Sequence, residues 1–236
     1  MRNDAPQGKR ERIRSYVLRQ GRLTEGQKLA LTRSLPRFGL DAGIPLKLDV
    51  VFAGMANEPL VLEVGFGDGR SLVAMAQAHP QHRFIGIEVH KPGVGAILQH
   101  IEAEGVENVR VYLEDAHEVL QHAIPSNVVD RFQLYFPDPW PKKRHHKRRF
   151  VREELMQLVR DRLRPGGVFH MATDWEPYAK EALTFLNAFD GLDNVAEDEG
   201  FVPRPTWRPL TKFEQRGLKL GHGVWDLLFV KRVASP

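Results

Sequence analysis

The sequence predicts an α/β fold, a mostly parallel sheet with helices on both faces. Two observations carry that prediction. From residue 60 onward, short β-branched apolar runs alternate with longer segments of helical periodicity. The glycines and acids that stand out also fall just after those runs, at the carboxyl ends where open parallel sheets bind ligands.

The elements follow in order. Leu60-Val61-Leu62-Glu63-Val64 is an apolar run ending in glycines and reads as a buried strand. Residues 71–78 read as a helix, 83–89 as a second strand and 93–104 as a second helix. A third strand is expected over 109–113, a helix from residue 116 and a fourth strand over 131–136. The stretch 150–163 places Val151, Leu155, Leu158 and Val159 at helical spacing, and Pro165-Gly166-Gly167 is expected to stop it. A fifth strand over 168–173, a fifth helix over 177–189 and a final strand near 224–230 complete the pattern. Before them, residues 31–58 form a lead-in broken by Pro36, Gly39, Gly43 and Pro45. Residues 1–30 are set apart from the domain, 31–236, as a basic arm: Lys9, Arg10, Arg12, Arg14, Arg19 and Arg22 face the single acid Glu11 between residues 9 and 22. A solvated, disordered tail and a segment that docks on phosphate both fit that composition.

Composition narrows the function. The chain has 236 residues, 42% of them apolar and 27% charged, enough for a substantial core. Its net charge of +4 is modest, so the placement of the charges matters more than their sum. The absence of cysteine excludes disulfides, cysteine-ligated zinc and cysteine nucleophiles, and it suits a reducing compartment. No apolar run approaches the roughly 18 residues of a membrane span, and the N-terminus lacks the apolar stretch of a secretory signal. A cytoplasmic protein is the expectation.

The first strand runs into Glu63-Val64-Gly65-Phe66-Gly67-Asp68-Gly69. Such a loop serves as a tight structural turn or as a cradle for a ligand, and its place between strand and helix favours the second use. A dinucleotide fingerprint starting at Gly65 would need glycine at position 70, where the chain has Arg70. The spacing is G-x-G-x-G with an acid inside the strand, which suits the ammonium-bearing amino acid end of S-adenosylmethionine. Glu88 follows Gly65 by 23 positions, a distance suited to ribose hydroxyls. Asp115, after the third strand, is placed to accept from an adenine amino group, to cap a helix, or to do both.

The fourth strand ends in Tyr135-Phe136-Pro137-Asp138-Pro139-Trp140-Pro141. Taken alone this is a rigid turn, since each proline fixes its own φ and restricts its predecessor. Beside a methyl donor it also offers a carboxylate and an aromatic face to a nucleic-acid base. Lys142-Lys143-Arg144-His145-His146-Lys147-Arg148-Arg149 follows, with six Lys or Arg among eight residues. Charge runs are usually solvated surface; adjacency to the proline loop favours RNA phosphate contacts by Lys143, Arg144, Lys147, Arg148 and Arg149. The paired histidines lack metal-ligand spacing, and no metal is expected. Asp174, in Ala172-Thr173-Asp174-Trp175, sets another acid and ring at the same edge.

Together these motifs resemble the bacterial tRNA (guanine-N7-)-methyltransferases of the TrmB family. The likeness runs from about Ile13 to Val230, through Arg19-Gln20-Gly21-Arg22-Leu23-Thr24, Leu62-Glu63-Val64-Gly65-Phe66-Gly67 and Gly86-Ile87-Glu88-Val89-His90. It continues through Phe136-Pro137-Asp138-Pro139-Trp140-Pro141-Lys142-Lys143-Arg144-His145, His170-Met171-Ala172-Thr173-Asp174-Trp175 and Thr211-Lys212-Phe213-Glu214-Gln215-Arg216-Gly217. The resemblance implies a class I, Rossmann-like methyltransferase that moves a methyl group from S-adenosyl-L-methionine to N7 of a guanine in the tRNA variable loop. It implies cofactor contacts by Glu63, Gly65, Gly67, Glu88, Asp115 and Asp138, with Asp138 also catalytic. Substrate contacts are implied for Lys142, Asp174, Thr211, Lys212, Phe213 and Glu214. The implied partner is tRNA, with no obligate protein partner, in a monomer or homodimer. Methylation of an exocyclic amino nitrogen, and RNA binding without catalysis, are the competing readings of the same residues.

Overall fold

In the computed structural model of the chain, residues 12–17, 21–55, 57–211, 214–215 and 223–233 are described. The strands are β1 (Gly39–Leu40), β2 (Leu60–Val64), β3 (Arg83–Ile87), β4 (Val109–Tyr112), β5 (Val129–Tyr135), β6 (Leu163–Thr173), β7 (Leu192–Asn194) and β8 (Trp225–Lys231). They form one sheet in the order β1-β4-β3-β2-β5-β6-β8-β7. Pairing is parallel from β1 through β6, while β8 lies antiparallel between β6 and β7. The expected mostly parallel α/β sheet is therefore the observed one.

Strand order reverses between β2 and β5. From β2 the chain winds outward through β3 and β4, then returns to place β5 on the other side of β2. The loops leaving two such strands part from each other and open a crevice at their carboxyl ends. The glycine loop and the proline loop are the two that leave β2 and β5.

Period-two alternation assigns the strand residues to two cores. Leu60 and Leu62 point to the face covered by α6 (Ala116–Glu118), α7 (Glu153–Arg162) and α8 (Glu176–Asn187), where Val119, Leu155, Val159, Tyr178 and Leu186 are buried. Val61, Phe84 and Val109 point to the opposite face, under α4 (Arg70–Ala78) and α5 (Lys91–Glu104). Both cores rest on the same five residues of β2, which explains why its sequence is apolar at nearly every position.

The lead-in holds more structure than its prolines and glycines suggest. It contains α1 (Glu25–Arg33), α2 (Leu35–Phe38), edge strand β1 and α3 (Leu48–Val51). Thr24 and Gln27 form a reciprocal capping box at the start of α1. The helix then lies on α5 so closely that a Cβ at Gly95 would sit 2.8 Å from the Gln27 Cβ. The expected division between arm and domain at residue 30 falls inside this helix.

Element boundaries differ from expectation in three places. The helix from Ala116 is α-helical only to Glu118 and widens into a π-helical turn over Val119–Ala123. The basic run is a 3-10 helix over Lys143–Arg148. Pro165-Gly166-Gly167 interrupts a strand rather than ending a helix: β6 already begins at Leu163, which is fully buried and paired with Val129. Gly166, at φ 74°, carries the irregularity, and the ladder resumes at Arg131 and Val168. Among the described residues no helix is long and apolar enough to cross a membrane.

Candidate active site

The crevice between β2 and β5 holds two adjoining cavities. The first, about 220 Å³, is lined by Gly65, Glu88, Tyr135, Phe136 and Asp138. The second, about 730 Å³, is lined by Glu63, Gly65, Gly67, Tyr135, Phe136 and Thr211. Gly65, Tyr135 and Phe136 form the shared wall. Residues from both parting loops, widely separated in sequence, thus meet as their motifs anticipated.

Gly65 and Gly67 adopt φ of 75° and 62°, and a Cβ at either would meet nothing within 4 Å. The backbone is therefore bare toward open space. Below the loop, Glu63 is 3% exposed and its Oε2 has no hydrogen-bond partner. Burial pushes its carboxyl up to about 8, against partial relief from the Arg131 guanidinium. A buried acid with an orphaned oxygen is a site for a cation, and the ammonium end of S-adenosylmethionine fits it. Glu88 is differently arranged: Oε1 accepts from the Val89 and His90 amides at 2.8 and 3.1 Å, and Oε2 from Gly67 at 3.2 Å. Its orientation is fixed before any ligand arrives.

Asp115 takes the helix-cap role that its position allowed, and its second oxygen is held by the basic arm. Oδ1 accepts from the His117 amide at 3.0 Å as a helix cap, and Oδ2 is ion-paired with Arg12. Arg12 also reaches Glu118 at 3.1 Å, while Ser15 and Tyr16 line the smaller cavity. Segment 12–17 of the basic arm therefore lies across the crevice, contacts that arginine-rich composition alone does not reveal.

Asp138 is exposed at the mouth of the smaller cavity, and among the described residues its carboxylate takes no hydrogen bond or ion pair. The loop around it is strained: Phe136 and Trp140 both have positive φ, 50° and 47°, although each precedes a proline. Lys142, Lys143, Arg144 and Lys147 are exposed in the following segment. Arg148 is half-buried over the Trp140 ring at 5.2 Å, and Arg149 is buried. Asp174 is half-buried just beyond β6 and lines neither cavity. Lys212 and Phe213 lie outside the described residues, as do Lys9, Arg10 and Arg19 of the arm.

Glu214 is 3% exposed, and both of its oxygens accept from Arg208, at 2.6 and 2.8 Å. Arg208 also grips Asp226 at 2.7 and 2.9 Å. His170 joins this cluster with Nε2 2.7 Å from Asp226, while its Nδ1 accepts from the Trp207 indole at 3.2 Å. The indole only donates, so the neutral ring carries its proton on Nε2, toward Asp226. Sequence reading missed this network. Its signal was the recurrence of Arg131, Gln133 and Tyr135 at period two on β5, beside His170 on β6 and Asp226 on β8.

A parallel sheet with this strand reversal, a bare glycine loop over a buried acid, and fixed acids after successive strands define a class I methyltransferase fold. Solved structures agree on the fold: the antibiotic-resistance methyltransferase Kmr aligns with a TM-score of 0.55 and 18% identity, covering 81% of this chain and 96% of that one. A 16S rRNA (adenine(1408)-N(1))-methyltransferase from Catenulisporales acidiphilia, solved with its cosubstrate, also scores 0.55 at 18% identity, over 83% of this chain and 97% of that one. The family model described as "Putative methyltransferase" matches residues 57–227. The tRNA (guanine-N(7)-)-methyltransferase of Alcanivorax borkumensis is 56% identical over 94% of this chain and 92% of its own. That of Pseudomonas savastanoi is 55% identical over 93% of this chain and 90% of its own. The chain belongs to the tRNA (guanine-N(7)-)-methyltransferase family.

Proposed function

We propose that the protein methylates N7 of a guanine in the variable loop of tRNA, in the cytoplasm, with S-adenosylmethionine as donor. The observation that carries this reading is the position of Asp138, a carboxylate without a partner among the described residues, at the mouth of the smaller cavity and directly before an exposed basic segment. When bound, the cofactor supplies an electrophilic methyl group.

Guanine N7 presents a lone pair and needs no deprotonation, so the chain's task is placement more than proton transfer. Asp138 accepts from the N1 and N2 donors of the base and offsets the positive charge that grows on the ring as N7 is alkylated. Glu63 receives the ammonium of the cofactor, Glu88 its ribose, and Gly65 and Gly67 let it lie against the backbone. Asp115 accepts from the adenine amino group once Arg12 yields its oxygen. Lys142, Lys143, Arg144 and Lys147 hold phosphate, and Thr211 and Asp174 stand on the acceptor side.

The test is transfer from labelled S-adenosylmethionine to unmodified tRNA, with product nucleosides identified by mass spectrometry. The expected product is 7-methylguanosine, lost when the variable-loop guanine is replaced, and reduced by about 100-fold or more in Asp138→Ala. A different methylated nucleoside moves the substrate, and near-normal turnover in Asp138→Ala removes that residue from the mechanism.

A further inference from the structure

We propose that Arg149 is a positioning residue for the Asp138 loop rather than a phosphate contact of the basic run. The inference rests on the function proposed above for Asp138.

Arg149 differs from its neighbours in the run. It is 2% exposed, whereas Lys142, Lys143, Arg144 and Lys147 are open to solvent. Two of its guanidinium nitrogens and its planar face have internal uses. Nε donates to the Pro139 carbonyl at 2.8 Å, Nη1 pairs with Glu181 on α8, and the plane lies over the Tyr178 ring at 4.8 Å. Tyr178 is fully buried and its hydroxyl accepts from the Val151 amide at 3.2 Å, so the platform under Arg149 belongs to the core. The guanidinium is thus committed to the loop, to α8 and to the core, unlike the open cations beside it.

The loop needs such a tether. Phe136 and Trp140 hold left-handed φ of 50° and 47° on either side of Pro137-Asp138-Pro139. Residues before proline are driven toward extended conformations, so a relaxed loop would leave this geometry. The Pro139 carbonyl adjoins Asp138 and lies between the two strained positions. Fixing it to α8 through Arg149 fixes where the Asp138 carboxylate stands at the cavity mouth. A small displacement there is costly, since a misplacement of about 1 Å can lower a rate by about 100-fold.

Arg149→Lys separates the two roles. A phosphate contact tolerates lysine; a planar fork that binds a carbonyl and a carboxylate while stacked on a ring does not. The expected result is a kcat lowered at least about tenfold. KM for tRNA, the salt dependence of tRNA binding and the affinity for S-adenosylmethionine should stay within about twofold of the parent, which shows that the fold is intact. Hydrogen exchange over residues 136–142 rises in the variant, a readout that stands whether or not tRNA proves to be the substrate. Parent-like kcat in Arg149→Lys, or unchanged exchange in that segment, overturns the proposal. An Arg149→Gln variant that keeps kcat while its salt dependence weakens by the equivalent of one phosphate overturns it as well. If the parent itself yields no 7-methylguanosine, the proposed function fails, and the exchange measurement alone decides the role of Arg149.

Discussion

Glu63 shows how a single side chain can be poorly placed for stability and well placed for binding. Its folded carboxyl titrates at about 8 against an ordinary 4.5, chiefly because it is buried. Between those values the folded chain holds a proton that the unfolded chain has lost. Stability therefore falls as pH rises through this window, and the penalty is complete above about pH 8. Without cofactor, Glu63→Gln should be more stable than the parent above about pH 5, by a margin that widens to about pH 8 and then levels. Urea unfolding at three pH values measures it, and parallel curves would mean that the acid is already ionised and solvated. The same variant should bind S-adenosylmethionine less tightly. Calorimetry in buffers of different ionisation enthalpy should show the parent releasing nearly one proton per molecule bound at about pH 7, and the variant none. That Glu63 belongs to the glycine loop was legible, because an acid interrupts an otherwise apolar strand. Its orphaned oxygen was not, since that depends on which side chains fail to reach it.

Among the elements, those with an apolar run or period were read correctly, and those built by local hydrogen bonding or by tertiary contact were not. β2 and β3 are short, nearly continuous apolar runs, and α5 is periodic and ends at Gly105. The lead-in helix α1 is weakly amphipathic, buries only Ala30 and owes its position to α5. Its capping box was visible at Thr24 and Gln27, but the helix sits within a stretch crowded with turn residues. The 3-10 helix over Lys143–Arg148 has no apolar face and buries none of its residues. Its role rests on charge, so replacing Lys142, Lys143 and Arg144 with alanine should lower the salt dependence of tRNA binding by about 0.7 to 0.9 in log–log slope for each phosphate no longer neutralised. Affinity should fall with kcat for bound tRNA largely kept. An unchanged slope would make the segment solvated surface. Pro165-Gly166-Gly167 misled because the same residues that end helices also make bulges; the pairing of Leu163 with Val129 decides between them, and it comes from residues 34 positions apart.

Across the whole molecule, the sheet is covered unevenly. Both faces of β2, β3 and β4 carry helices and apolar clusters, but one face of β5, β6 and β8 presents Gln133, His170 and Asp226 under the Trp207-Arg208 loop. A polar layer stands where a third apolar layer would otherwise be, and it ties the segment bearing Thr211 and Glu214 to the sheet. The arrangement was hidden from sequence because its partners, His170, Arg208, Glu214 and Asp226, span four separate segments, and the motifs that contain His170 and Glu214 carry no sign of their pairing with Arg208 and Asp226. Burial pushes the Asp226 carboxyl up, yet hydrogen bonds from His170 and Arg208 outweigh it and hold the group below its ordinary value. Arg208→Met removes the only cation seen bridging Asp226 and Glu214 among the described residues and leaves two buried carboxylates facing each other. Breaking a buried pair in this way costs about 3 to 5 kcal/mol. Without Arg208 the buried Asp226 carboxyl should titrate at higher pH, so the unfolding deficit should be largest near pH 8 and shrink as the medium approaches about pH 5 and that acid takes up its proton. Urea midpoints of parent and variant at the two pH values measure this. A deficit equal at both would show that the carboxylates find other partners, and that packing rather than charge holds the loop on the sheet.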